Sequence, residues 1–404
     1  MAPAPSIERV RRQERSERAG LRIGLVVGGD AEDAAAWSGV PAGVLGGLRE
    51  AGVEVVPVRA ALPPRLGRVT LRALTLRHTR PGLGSPRARI AAGRRLAVVS
   101  PAMVAMRGRT VRANLRRAGT LDGLVQVGTE YVLPPGPPTV TLEDQTVPQA
   151  RASAYSFLHH LPAALAEAWL ERQLLAYRRA VACCVTTHWA ARSVIEDYGI
   201  APEKVRVVGV GRNFSPRGGE RDWGRPRFLF IAAEWERKNG PGLLSAFARL
   251  RAELPSARLE LVGNHPPATL AGVTGHGRLR LGVAAERERL EELYRRYTCL
   301  VMPSWHEPAG IAYADAAAGG MPSIGTSRGG SADIIGDAGM IVDPADGDAV
   351  LDALRAMADP ERAARLGELA RRRASAFSWP LVAERLLRAL ALPGLELEPL
   401  ADFL

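Results

Sequence analysis

Two runs of one pattern dominate this 404-residue sequence: short apolar or β-branched segments alternate with segments of helical length and spacing. In the first run "LRIGLVVGG" (21–29), "VEVVPV" (53–58), "LDGLVQVG" (121–128), "TVTLED" (139–144), "AVACCVTT" (180–187) and "KVRVVGVG" (204–211) read as strands. "GVPAGVLGGLREAG" (39–52), 161–180 and 189–198 have helical spacing between them. The second run has strand-like "RFLFIAAE" (227–234), "ARLELVGN" (257–264), "RLRLGV" (278–283), "CLVMPS" (299–304), "MPSIGTS" (321–327) and "AGMIVDP" (338–344). Its helical stretches are 240–254, 285–297, 309–318 and 345–358. Such alternation predicts α/β domains, each a doubly wound parallel sheet. Two runs predict two domains in tandem, and the length suffices for two cores. Between the runs, "NFSPRGGERDWGRPR" (213–227) has Pro, Gly and mixed charge without apolar periodicity, as a boundary does. The expected organisation is a basic tail at 1–20, a first domain at 21–213, a linker at 214–226 and a second domain at 227–376. A C-terminal helix and tail at 377–404 is expected to cross back to the first domain.

An apolar content of 47% excludes a disordered chain. The longest uncharged apolar stretch, "LAVVSPAMVAM" (96–106), is too short for a membrane-spanning helix. The first twenty residues intersperse Arg and Glu without an apolar centre, so no secretory signal is expected. Cys183, Cys184 and Cys299 have neither disulfide-framework nor metal-ligand spacing, which predicts a reducing, cytoplasmic setting. Net charge is +12 and unevenly spread. Residues 1–120 hold 22 Arg against 8 acidic residues, and 55–121 hold 15 Arg and no acid. Arginine-rich coding bias explains Arg over Lys, with only Lys204 and Lys238 present, but not the missing acids. The segregation points to a polyanionic partner. No aromatic-interleaved basic motif marks nucleic acid, so an acidic membrane surface met by 55–121 ranks above it. The chain is then expected to lie peripherally at the inner face of the membrane.

Ligands of open parallel sheets bind outside the carboxyl ends of the strands, so chemistry is sought there. Gly28 and Gly29 leave the first strand, and Ser38 and Gly39 precede the next helix; glycines there let backbone approach a ligand. An ordinary turn is the commoner explanation of such a pair, and they form no dinucleotide or phosphate-loop motif. After the first strand of the second run, "AAEWERKNGPG" carries Arg237 and Lys238. A lysine is a compact charge that can lie against a diphosphate, and an arginine offers a planar fork to its oxygens. The competing reading is a solvated loop before a helix.

The stretch "PSWHEPAGIAYADAAAGGMPSIGTSRGG" (303–330) runs from strand exit to helix to strand. If the helix begins near Ala309, its first N–H groups form an anion site, worth about 0.3–1 kcal/mol when exposed and up to about 2 when partly buried. Gly310 would let a phosphate touch backbone. Glu307 precedes the helix and suits sugar hydroxyls; Asp315, two turns on, suits another diol. Taken singly, each acid would be an ordinary exposed helix residue.

That stretch resembles the signature of family 4 retaining glycosyltransferases, proteins of GT-B fold within glycosyl transferases group 1. The family frames its donor site with a Glu, seven residues and a second Glu; here the second acid is Asp315. "ERKNGPGLLSAFARL", "LELVGN" and "LRLGVAAERERLEELYRRYTCLVMPS" resemble its preceding segments, and "AWSGVPAGVLGGLREAGVEVV" its first strand-loop-helix. The resemblance is continuous over about 228–344 and patchy over 21–211. It implies that Lys238 and Arg237 hold the donor diphosphate, that Glu307 contacts the transferred sugar and that Asp315 contacts the ribose. Backbone N–H groups of Ala309, Gly310 and Ile311 would complete the cradle, with Asn264 and Val283 near the nucleobase. Ala233 stands where the family commonly has Arg. Glu143 and Asp144 stand where it often has His, and Asp144 is the carboxylate expected to orient an acceptor.

The resemblance implies transfer of a sugar from a nucleotide-diphosphate sugar to a hydroxyl on a glycan, lipid or small molecule, with retained configuration and neither metal nor cofactor. "DGD" at 346–348 reads as a helix cap. Two other readings remain at this level. A GT-B nucleotide-sugar epimerase would turn over donor without acceptor, and an inactive GT-B protein would bind acidic membrane only.

Overall fold

The computed structural model describes residues 20–79, 85–214 and 221–392. The expected tail up to residue 19, linker residues 215–220 and residues 393–404 lie outside the described residues. Two six-stranded parallel sheets form. The first is built from β1 (Arg22–Val27), β2 (Glu54–Arg59), β3 (Gly123–Val127), β4 (Thr139–Glu143), β5 (Ala182–Val185) and β6 (Val205–Val207), in the order β2-β1-β3-β4-β5-β6. The second contains β7 (Arg227–Ala232), β8 (Arg258–Gly263), β9 (Val273–Gly277), β10 (Cys299–Val301), β11 (Ser323–Thr326) and β12 (Gly339–Val342), in the order β12-β11-β10-β7-β8-β9. Every residue of β3 and β5 is buried. Helices on both faces account for such continuous apolar runs. Pro57 is tolerated in β2 because that strand is an edge and its missing donor breaks no central ladder.

Between the strands run α1 (Val40–Glu50), α2 (Pro64–His78), α3 (Pro86–Val99), α4 (Pro101–Ala118), α5 (Val147–Ala152), α6 (Ala163–Arg179) and α7 (His188–Glu196) in the first domain. The second has α8 (Gly240–Glu253), α9 (Ala284–Arg296), α10 (Ile311–Ala318), α11 (Ser331–Ile335), α12 (Gly347–Ala358), α13 (Pro360–Arg373) and α14 (Trp379–Leu390). The arginine-rich segment, unassigned from sequence, is the three-helix insertion α2–α4. Each of these helices starts with proline, which loses no bond in a first turn, and Ser85 and Ser100 cap α3 and α4. That cap at Ser100–Pro101 splits the apolar stretch 96–106 between two helices.

One strand differs from the sequence reading. "RLRLGV" (278–283) is not extended; the edge strand is β9, "VTGHG", immediately before it. Leu279 and Leu281 instead pack on the core as partly buried residues, so alternation there reports a half-covered loop. Asp346 caps α12, accepting from the Asp348 and Ala349 amides. The three cysteines are free and buried. Helix α14 lies on α1, where a Cβ at Gly43 would collide with the Trp379 indole, and Leu390 and Leu392 reach Gly123 of β3. The end of the described chain thus packs on the first domain.

The strand orders locate the functional region. Direction reverses between β1 and β3 in the first sheet and between β7 and β10 in the second. Crevices outside the carboxyl ends of such pairs are where doubly wound sheets hold ligands. Here the two crevices face each other.

Candidate functional site

A cavity of about 790 Å³ occupies that junction. The second domain contributes Ala233, Glu234, Arg237 and Lys238 from the β7 exit and Met302 with His306–Ala312 from the β10 exit. The first domain contributes Trp37 and Ser38, Thr129 and Glu130 after β3, and 143–146 after β4. Its volume lies within the range of small-molecule sites.

Lys238 ends a compact turn. Its N–H donates to the Glu234 carbonyl (3.0 Å), and Asn239, in left-handed conformation, caps α8 by accepting from Gly242 N (3.2 Å). The Lys238 ammonium meets the Glu307 carboxylate in a buried ion pair. Burial pushes the lysine down from its usual pKa against the pull of Glu307. For Glu307, burial acts upward, but Lys238, Arg237 and a hydrogen bond from Ser304 outweigh it and hold the carboxyl below its usual value. Lys238 and Ser304 (3.1 Å) both use Glu307 Oε2. Oε1 has no donor among the described residues.

Glu307 is fixed through its backbone. Its N–H donates to the Arg328 carbonyl and its carbonyl accepts from Gly330 N, both at 3.0 Å. A Cβ at Gly329, where φ is +135°, would collide with the Glu307 carbonyl, and one at Gly330 with the Pro308 carbonyl. The glycine pair ending the signature stretch therefore lets one loop lie against the other. Arg237 donates to the Glu234 carboxylate (3.0 Å) and to the His306 carbonyl (2.7 Å), holding the two exit loops together.

Helix α10 begins at Ile311, two residues after the expected start, because Gly310 takes the left-handed conformation at its N-cap. The first satisfied amide is that of Tyr313, bonded to Gly310 O (2.9 Å). The N–H groups of Ala309, Gly310, Ile311 and Ala312 have no hydrogen-bond acceptor among the described residues, and all four residues line the cavity. Lys238 and these amides thus border one space, the arrangement an anion requires.

Asp144 lines the opposing wall, where burial pushes its carboxyl up to about 6 and Glu307 adds to the rise. Ser38 also lines the cavity, with Trp37 and Ser38 in left-handed conformation (φ 47° and 54°), a strained turn. Asn213 holds that turn by donating to the Ser38 carbonyl (2.9 Å), and Gly39 leaves room for the Asn213 side chain.

Several expected donor-site residues are not brought to the cavity. Gly28 and Gly29 do not line the cavity, and Asp30 after them pairs with Arg59 at the end of β2. Asn264 is exposed and donates to the Ala233 carbonyl (2.6 Å), acting on the wall from behind. Val283 is the exposed N-cap of α9. Strands β8 and β9 lie on the far side of β7 from the crevice, which explains both placements. Asp315 is buried one turn below the cavity, and its Oδ1 accepts from the backbone N–H groups of Asn213 (2.6 Å) and Phe214 (3.2 Å). It ties the helix to the connection between domains.

The sequence reading did not single out His306, which bonds Gln145 across the domains (2.7 Å). Burial, with Arg237, depresses it to about 4, so it is neutral at physiological pH. Its place beside Glu307 was the available signal. Glu143 with Thr129 and Gln173 forms a buried polar cluster within the first-domain wall of the cavity. Tyr155 stacks on Trp305 across the cleft, with ring centroids 5.9 Å apart.

Two doubly wound domains meeting at the carboxyl ends of their sheets, around one cavity, define the GT-B class of fold. Solved structures agree: the chain is similar to sucrose-phosphate synthase from Thermosynechococcus elongatus (TM-score 0.66, 18% identity, covering 91% of this chain and 98% of that one). It is also similar to WaaG, a glycosyltransferase involved in lipopolysaccharide biosynthesis (TM-score 0.60, 16% identity, 92% and 100% coverage). Residues 225–359 match the family described as "Glycosyl transferases group 1". It is similar to a D-inositol 3-phosphate glycosyltransferase of Thermomonospora curvata, at 32% identity over 49% of this chain and 53% of the relative. A second relative is an MMP alpha-(1->4)-mannosyltransferase of Mycolicibacterium hassiacum, at 31% identity over 48% and 50%. The alignments thus span about half the length of these curated relatives.

Proposed function

We propose that this protein is a retaining glycosyltransferase that moves a sugar from a nucleotide-diphosphate sugar to a hydroxyl acceptor, without a metal ion. The observation that carries the reading is the shared cavity border formed by Lys238, Arg237 and the unpaired amides at 309–312. The leaving diphosphate lies against these groups, and Glu307 Oε1 accepts from hydroxyls of the sugar. As the bond between the anomeric carbon and the diphosphate oxygen breaks, charge grows on that oxygen. Preorganised donors then stabilise the transition state more than the ground state. The acceptor oxygen bonds to the same face of the anomeric carbon and passes its proton to the departing diphosphate oxygen. Lys238 pairs with Glu307, and a bound diphosphate shares that ammonium's charge.

Sugars linked to UDP, GDP and ADP, screened by thermal shift, test this reading. One nucleotide class should raise the melting temperature, since a ligand bound only by the native state stabilises it. No shift with any of them counts against it. Asp144 orients the acceptor hydroxyl as a carboxylate. The pH profile of kcat/KM should therefore fall below about pH 6 as Asp144 protonates. Asp144→Asn should remove that limb while lowering the plateau. A variant that keeps the limb would assign it to another group.

A further inference from the structure

Helix α2 has two apolar faces. Leu71 and Leu74 join Ala97, Met103 and Met106 in a small core. On the opposite side Leu66, Val69, Ala73 and Leu76 recur at spacings of three, four and three, which is one stripe of an α-helix. That stripe is open: Leu66 is 53% exposed, Val69 66% and Leu76 74%. Exposed Arg65, Arg68 and Arg72 follow one flank and exposed Arg77 the other. On neighbouring α3, Ile90 is 52% exposed, between exposed Arg87 and Arg94. The two helices approach closely where Gly93 faces Thr75 and Thr79; a Cβ there would collide with the Thr79 hydroxyl. Among the described residues none of these arginines has a carboxylate partner, and 55–121 contains no acid.

We propose that the α2–α3 face docks on an acidic lipid bilayer, its apolar stripe entering the headgroup boundary and its arginines meeting lipid phosphates. A helix with aliphatic residues along one line and basic residues beside it fits that boundary in both chemistries. Nucleic acid would use the arginines but leave the aliphatic stripe in water, and there is no aromatic side chain on the face for bases to stack on. A second copy would set arginine against arginine with no acid to separate them. Residues 1–19, with five Arg and three Glu, carry the same sign as the face. Helix α3 runs from that face to the cleft: Arg95, which lines the cavity, follows Ile90 by five residues, about 8 Å along the axis and on another side of the helix. If the transferase reading holds, a lipid-anchored hydroxyl could enter from that side.

The test is flotation of the full chain with vesicles of phosphatidylcholine alone or mixed with phosphatidylglycerol. Binding is expected only with the acidic lipid. Joint replacement of Leu66→Ser, Val69→Ser and Leu76→Ser should reduce the bound fraction by about tenfold or more, as should Arg65→Gln with Arg68→Gln and Arg72→Gln. These side chains are exposed, so the melting temperature and the shift caused by donor nucleotide should be unchanged; this separates the result from the fate of the transferase reading. Leu76→Trp should show blue-shifted emission only with acidic vesicles. Flotation that ignores lipid charge, or that survives the serine replacements, overturns the proposal. So does binding of an oligonucleotide without binding of vesicles. Emission from Leu76→Trp already shifted without lipid would overturn it too, by showing that protein covers the stripe, whether a second copy or residues 393–404 with their three acids.

Discussion

Replacing Lys238 with alanine is expected to lower sugar transfer by about two to three orders of magnitude, the scale of losing one donor aimed at transition-state charge. The loss should fall on kcat, because the ammonium's interaction strengthens as the diphosphate departs. The structure adds a second expectation. Lys238 neutralises Glu307 in a buried pair, and removing one member leaves the other charge uncompensated. Such breakage costs about 3–5 kcal/mol in buried pairs generally. Lys238→Ala should therefore also melt earlier, while Lys238→Ala with Glu307→Gln should recover stability without recovering turnover. Steady-state kinetics beside thermal unfolding would separate the two roles. Near-wild-type turnover in the stable double variant would remove the lysine from the chemistry.

Asp315→Ala should act on the junction between domains. The substitution strips two amides of their acceptor, the buried one of Phe214 and the half-buried one of Asn213. Unmet buried donors cost about 1–3 kcal/mol each, so a clear fall in melting temperature is expected. The pH dependence is specific. Burial pushes the Asp315 carboxyl up to about 7, above the ordinary aspartate value of 3.8. Between those values the folded chain holds a proton that the unfolded chain releases. The contribution is complete below about pH 4 and is lost as pH rises through about 7. Asp144 is raised for the same first reason, burial, and acts in the same direction. On these two groups the protein melts at higher temperature at pH 5 than at pH 8, while His306, depressed to about 4 by burial, opposes them below about pH 6.5. Asp315→Asn, which keeps an acceptor but cannot ionise, should flatten that slope. A slope identical in Asp315→Asn and wild type would show that the carboxyl does not titrate in this range.

The same residue shows what sequence could and could not convey. Alternating apolar runs marked eleven of the twelve strands, because parallel strands covered on both faces leave an unbroken hydrophobic trace. Strand β9 was missed because "VTGHG" is a short, glycine-containing edge with little to bury. Helices α2–α4 were not read at all: their arginines suit a helix, but their apolar faces are narrow and one faces outward. The position of Lys238, Glu307 and Gly310 at the cavity was legible because the strand exits that carry them are local in sequence and lie at a reversal of strand order. The partners of Asp315 are about one hundred residues away, and its short side chain stops at the interdomain backbone. Gly28 and Gly29 looked functional from position alone, yet they are not among the residues that line the cavity. Contacts between domains depend on how two sheets face each other, and no local pattern encodes that.

The central claim is that the ammonium at 238 and the amides at the start of α10 share one diphosphate. Calorimetric titration of UDP, GDP and ADP into the wild type and into Lys238→Met tests it most directly, with Lys238→Met paired with Glu307→Gln to keep the site folded. At least one nucleotide should bind the wild type, and the paired variant should bind it at least about tenfold more weakly, as expected for losing a charge-assisted hydrogen bond. Equal affinity in both proteins would contradict the account.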